Sequence, residues 1–183
     1  MKSITVMAVV LGLLLSSAPS RAAEQAPDWT LTSSEGDATR LSAEVRQQPV
    51  VLFFWATWCP YCKALMPHLQ SIRLEHGDAV KILAINFVEK GDPVGFLKEL
   101  GYDFTLLPDG DEVAAIYGVY GTPGVILVDQ GQQIRFDLRT LPQLKPPGDG
   151  SKTSHKKKAA YLAPYWAAEL RKSIDSVLEE SSQ

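Results

Sequence analysis

The chain has 183 residues, 45% of them hydrophobic, which suffices for one domain with a real core and is thin for two. Its 18 basic and 21 acidic side chains give a net charge of −3, a balance that argues against nucleic acid as a partner. Cys59 and Cys62 are the only cysteines; bridging such close neighbours removes little unfolded-state entropy, so the pair reads as reactive rather than as a structural staple.

Lys2, an apolar run from Ile4 to Leu15 broken only by Thr5 and Gly12, and the small and polar residues that follow mark residues 1–22 as a secretory signal peptide. The run is 12 residues long, short of the roughly 20 that span a bilayer, so an uncleaved anchor is the weaker reading. Cleavage after Ala22 removes Lys2 and Arg21, leaving 16 bases against 21 acids, a net charge of −5. No cysteine lies near that junction to carry a lipid. Residues 23–183 are then expected to form one domain.

Residues 28–32 and a Gly36-Asp37 turn predict a short amino-terminal hairpin, followed by a helical turn over 41–45. Val50 to Trp55 reads as a buried strand, and a long helix begins at Cys59 with Leu65, Leu69, Ile72 and Leu74 near helical period and a kink at Pro67. Residues 81–87 form a second strand, apolar on both faces as in the middle of a covered sheet. Asp92 and Pro93 start a helix that Gly101 stops. A short strand at 104–107, a helix over 111–117 capped by Gly118, and strands at 124–128 and 133–136 joined by an Asp129-Gln130-Gly131 turn complete an α/β pattern. The expected architecture is a central mixed β-sheet with helices on both faces. Residues 138–160, with Lys145-Pro146-Pro147-Gly148-Asp149-Gly150 and Lys156-Lys157-Lys158, predict an exposed, mobile loop. A C-terminal helix over 161–181, starting near Pro164, then lines up Leu162, Trp166, Leu170, Ile174 and Leu178.

Chemistry concentrates where the strand ending at Trp55 hands over to a helix. Unpaired N–H groups and the macrodipole at a helix start favour thiolate over thiol, so Cys59 is expected to ionise below the free value of about 8.5. Pro60 fits the first helical turn, where its missing N–H costs nothing. A tetrahedral zinc site would need two further donors, and Cys62 is followed by Lys63 rather than by the histidine of a haem attachment motif. His68 reads as a partly buried structural side chain, His76 and His155 as surface residues, and the lysines of 152–158 as a solvated cluster.

The string Trp55-Ala56-Thr57-Trp58-Cys59-Pro60-Tyr61-Cys62 behind a hydrophobic strand, Pro67 five positions further on, and Gly121-Thr122-Pro123 ahead of the last hairpin together resemble the thioredoxin superfamily, in its exported TlpA/ResA/DsbE-like branch. The resemblance covers residues 26–136 and implies a thioredoxin-like fold. It implies that Cys59 is an exposed nucleophile that forms mixed disulfides and that Cys62 resolves them. Trp58, Pro60, Tyr61, Thr122 and Pro123 would contact substrate, with Pro123 in a cis peptide bond and the Thr122 backbone pairing with an extended segment. Without the resemblance that bond would read as trans, since about 5–6% of X-Pro bonds in folded proteins are cis. Trp55 reads as core.

The implied activity is that of a periplasmic thiol:disulfide oxidoreductase, most simply a reductase, with no metal and no organic cofactor because the cysteines themselves hold the electrons. Implied partners are cysteine-containing exported proteins of the cytochrome c or copper-site maturation type, with a membrane thiol reductase as electron donor; a monomer is expected. A disulfide oxidase or isomerase, or a Cu(I)-holding protein using both sulfurs, are the alternatives. Two departures stand out. Thioredoxins carry a buried aspartate where this chain has Phe53, and the ResA-like reductases a glutamate where it has Leu65. Glu89, just after the second strand, is the conceivable substitute and otherwise a solvated loop acid.

Overall fold

A computed structural model describes residues 24–146 and 153–182. The expected signal peptide, residues 1–22, and residues 147–152 of the expected loop lie outside the described residues. Strands β1 (Thr30–Thr32) and β2 (Ala38–Arg40) pair antiparallel across a turn where Gly36 takes φ +95°, and lead into the single-turn helix α1 (Leu41–Glu44).

Strand β3 (Val50–Trp55) is buried at all six positions. It runs parallel to β4 (Lys81–Asn86), which runs parallel to β5 (Thr105–Leu107), and antiparallel to β6 (Gly124–Val128), which turns back into β7 (Ile134–Asp137). The sheet order is β5-β4-β3-β6-β7, the mixed sheet that the sequence pattern predicts. Alternation along β3 divides the interior in two. Val51, Phe53 and Trp55 face a cluster shared with α2 (Pro60–His76), α3 (Pro93–Leu100) and α5 (His155–Ser181), whereas Val50, Leu52 and Phe54 face α4 (Asp111–Ile116), α1 and Trp29. Burial of each large apolar side chain contributes about 1.5–3 kcal/mol, so a strand buried on both faces is the anchor of the domain. Asp92 caps α3 by accepting the Gly95 N–H at 2.9 Å, and Gly101 ends it in the left-handed region, both as expected.

Two expectations are corrected. Leu74 is 71% exposed, and the buried stripe of α2 is Leu65, Met66, Leu69 and Ile72. Two residues past Ile72 is about 200° around a helix of 3.6 residues per turn, the opposite face. The exposed loop over 138–160 is also shorter than expected. Leu138 is buried in a 3₁₀ turn (Leu138–Thr140), and α5 starts at His155, well ahead of Pro164, with Ser154 capping it by accepting the Lys157 N–H. Pro164 is exposed on the outer face of α5, where the carbonyl it leaves without a partner can meet water.

The buried face of α5 is also displaced from the predicted stripe. Ala159, Ala163, Ala167, Leu170, Ile174 and Val177 are buried, while Leu162, Trp166 and Leu178 sit at its margin. The three alanines, spaced by four, remove side-chain bulk along the first half of the helix. Ile174→Ala should lower the unfolding free energy by about 2–5 kcal/mol in a denaturant titration, because it empties a filled site. Leu74→Ala should stay within about 0.5 kcal/mol of the parent; equal losses would contradict the packing described.

Candidate active site

The turn after β3 is closed by the Cys59 N–H donating to the Ala56 carbonyl at 3.1 Å. Cys59 is the N-cap of α2 and Pro60 its first residue. The Cys59 Sγ accepts the Cys62 N–H at 3.0 Å, taking up one of the donors a helix start leaves unpaired. The two cysteines are joined as a disulfide, with their Cα atoms 5.3 Å apart. Cys59 is only 1% exposed, a correction to the expected exposed nucleophile. Its sulfur is bonded back to that of Cys62, a wholly buried residue of the sheet-facing core, and is drawn inward by it.

Trp58 is half exposed, and its indole N–H donates to the Val88 carbonyl at 2.9 Å. Trp55 is wholly buried, stacked with Phe53 at 6.4 Å and tilted against Phe96 at 5.7 Å, so it is core as expected. Phe53 and Leu65, at the two positions where a carboxylate is missing, are fully packed in the same cluster as the cysteines. The medium beneath the sulfurs is therefore hydrocarbon.

The Thr122–Pro123 peptide bond is cis. Pairing of Phe54 with Gly124 puts Pro123 level with Trp55, at the end of β3 from which the cysteine turn departs. Glycine follows because a Cβ there would lie 2.8 Å from Val119 Cγ1 and 3.2 Å from Phe54 Cβ. Tyr61, Thr122 and Pro123 border one cavity of about 360 Å³. The Tyr61 hydroxyl lies 3.1 Å from His155 Nδ1, and its ring is 6.1 Å from that of Trp166. His155, exposed as expected, also touches the cysteine motif from 94 positions away. Its one sequence signal was Ser154, a good helix cap immediately before it.

Glu89 is not the solvated loop acid expected. Its carboxylate accepts the Thr57 N–H at 2.8 Å, the Thr57 hydroxyl at 2.6 Å, the Asn86 side-chain N–H at 2.7 Å, and the Lys90 and Gly91 N–H groups at 2.7 and 2.8 Å. Burial alone would push its pKa up, but the bonds from Thr57, Asn86 and Lys90 outweigh burial and hold it at about 2. Asn86 also donates to the Trp55 carbonyl at 3.3 Å, so this network ties the end of β3 and the turn before Cys59 to the segment after β4. His68 is partly buried, and His76 lies 3.6 Å from the Asp175 carboxylate. Among the described residues, no three His, Cys, Asp or Glu side chains gather closely enough to hold a metal ion.

The chain matches the AhpC/TSA family over residues 22–137. It is 31% identical over 111 residues to the thioredoxin-like protein YneN of Bacillus subtilis (strain 168), a match covering 58% of this chain and 65% of that one. It is 33% identical over 115 residues to the thiol:disulfide interchange protein DsbE of Escherichia coli (strain K12), covering 60% of each. The chain thus spans less than two thirds of the length of either relative. Among solved structures, a candidate thiol:disulfide interchange protein DsbE from Chlorobium tepidum superposes with a TM-score of 0.57 at 27% identity, over 63% of this chain and 82% of that one. Because the family match runs through more than half of the chain and through every strand of the central sheet, this protein belongs to the AhpC/TSA family, with its thioredoxin-like fold.

Proposed function

We propose that this protein is an exported thiol:disulfide oxidoreductase that cycles Cys59 and Cys62 between dithiol and disulfide. The observation that carries the reading is the Cys62 N–H aimed at the Cys59 sulfur on the first turn of α2. In the reduced protein, that donor and the helix dipole favour a Cys59 thiolate. The thiolate attacks one sulfur of a substrate disulfide, and the other substrate sulfur leaves and takes up a proton. Cys62 then gives up its proton and attacks Cys59 Sγ, releasing the second substrate thiol and restoring the protein disulfide. Two electrons pass to the substrate, and no cofactor is needed.

Among the described residues, neither the N–H nor the carbonyl of Thr122 makes a hydrogen bond within the fold. Both are therefore available to an extended substrate segment beside Pro123, the role the family resemblance implies. The names of the relatives, thiol:disulfide interchange protein and thioredoxin-like protein, support the redox reading. The branch resembled supports the reducing direction, in the periplasm. The substrates would be exported proteins whose haem-site or copper-site cysteines have become oxidised, and a membrane thiol reductase would return the electrons.

Proton handling is where this chain differs from its resemblance. Phe53 and Leu65 offer no base, and Glu89, held at about 2, is a weak one that already accepts five donors. Among the described residues, neither of those two positions nor Glu89 offers Cys62 a ready side-chain acceptor, which would slow resolution and lengthen the life of the mixed disulfide.

Insulin reduction with dithiothreitol as electron source should be accelerated by the parent protein and abolished in Cys59→Ala. Reduced Cys62→Ala, freed of dithiothreitol before insulin is added, should instead accumulate an adduct with insulin that later addition of dithiothreitol releases. A redox potential near −270 mV fits the reducing direction, and one near −120 mV would reverse it. Glu89 gives a separate test. Its folded value of about 2 lies below the ordinary 4.5, so its contribution to stability is complete above about pH 4.5 and is lost as pH falls through about 2. Glu89→Gln should be less stable than the parent at pH 7, with the gap closing between pH 4.5 and 2; a gap independent of pH would contradict the charged network.

A further inference from the structure

The cavity beside the redox pair is built from two sources. Tyr61, Thr122 and Pro123 form one side, and Leu141, Leu144, Leu162 and Trp166 form the other. All four of the latter follow residue 137, where the family match ends. They come from the stretch after β7 and from the amino-terminal half of α5, whose Ala159, Ala163 and Ala167 form its buried face.

We infer that this cavity is a specificity pocket that takes a large apolar side chain beside the cysteine of an extended substrate segment, so that the protein favours disulfides with apolar flanks. The inference rests on the redox reading above. Continuity is its first support, since Thr122 and Pro123 belong both to the redox site and to the cavity wall. An extended segment advances about 3.3 Å per residue, so one whose cysteine meets Cys59 beside Pro123 carries its neighbouring side chains along that wall. Chemistry is the second. The far wall is mostly apolar, with Leu141, Pro142, Leu144, Leu162 and Trp166 beside the single amide of Gln143, and Leu144 stands 38% exposed with no packing role in either core cluster. Arg139, the one cation in the lining among the described residues, is already committed to the Asp137 carboxylate and to the Tyr117 and Gly118 carbonyls at 2.9 and 2.7 Å. Among the described residues of the lining, an acidic side chain would thus find no uncommitted cation, whereas an aromatic or leucine side chain would find walls of its own kind. Size is the third: about 360 Å³ is at the small end for a ligand site and ample for one bulky side chain.

The test uses the reduced protein and two peptides, identical except that the single cysteine is flanked on both sides by Phe or by Ser. Each cysteine is linked through a disulfide to thionitrobenzoate. Cys59 attacks the peptide sulfur and expels coloured thionitrobenzoate; Cys62 then attacks Cys59 Sγ and releases the peptide thiol, so one disulfide breaks, one forms and two electrons pass to the peptide. The Phe peptide should react about tenfold faster or more, the scale of discrimination by an apolar pocket. Leu144→Asp and Leu162→Asp should bring the ratio of the two rates towards one. Leu144→Asp lies at an exposed position and keeps the test in force if Leu162→Asp fails to fold. Equal rates for both peptides in the parent protein, or an unchanged ratio in folded Leu144→Asp, would overturn the pocket alone. Release from neither peptide would overturn the redox reading, and the pocket with it.

Discussion

Strand β3 is the constraint on which the site depends. Six consecutive buried residues, paired with β4 on one edge and β6 on the other, leave the strand no freedom of register. A shift by one residue would turn Phe53 and Trp55 out of the face they share with α2 and α5. Whatever follows Trp55 is therefore delivered to a fixed point in space. The chain uses that point to start a helix, and Cys59 caps it. The same strand fixes Pro123, because its antiparallel pairing with β6 sets Gly124 opposite Phe54.

The setting of the sulfurs combines two media. Beneath them lies a hydrocarbon layer of Phe53, Leu65 and Trp55, which disfavours charge. Above them is the first turn of α2, with a donor aimed at Cys59 Sγ, which favours negative charge on that atom alone. The asymmetry separates the two cysteines with no carboxylate at position 53 or 65. Glu89, just after β4, contributes rigidity instead. The two bonds it accepts from Thr57 brace the turn from which Cys59 emerges, those from Asn86, Lys90 and Gly91 fix the carboxylate itself, and Trp58 adds a third tie through Val88.

Much of this was legible from the sequence because it is local. The bounds of β3, α3 and β6, the hairpin turns and the capping residues follow from periodicity and from side chains that act on backbone a few positions away. The cis bond at Pro123 was readable through resemblance alone, since the local preference is for trans. What escaped notice depended on contacts distant in sequence. Thr57 meets Glu89 across 32 positions and Tyr61 meets His155 across 94, and no periodicity carries such information. The start of α5 was obscured by composition: a run of lysines after a Pro/Gly-rich stretch reads as loop, and Pro164 reads as a beginning. Packing against α2 and the cap from Ser154 override both signals.

The alanines of α5 have an effect at a distance from themselves. Ala159, Ala163 and Ala167 lie on the buried side of the same helical turns that present Leu162 and Trp166 to the cavity. A methyl group at each is a short spacer, and the separation of α5 from its neighbours sets how far those two side chains stand from Tyr61 and Pro123. The aperture beside the disulfide is thus gauged from below, by residues that no substrate would ever touch. Selection for a wider or narrower mouth could act on these hidden shims while leaving every exposed residue unchanged.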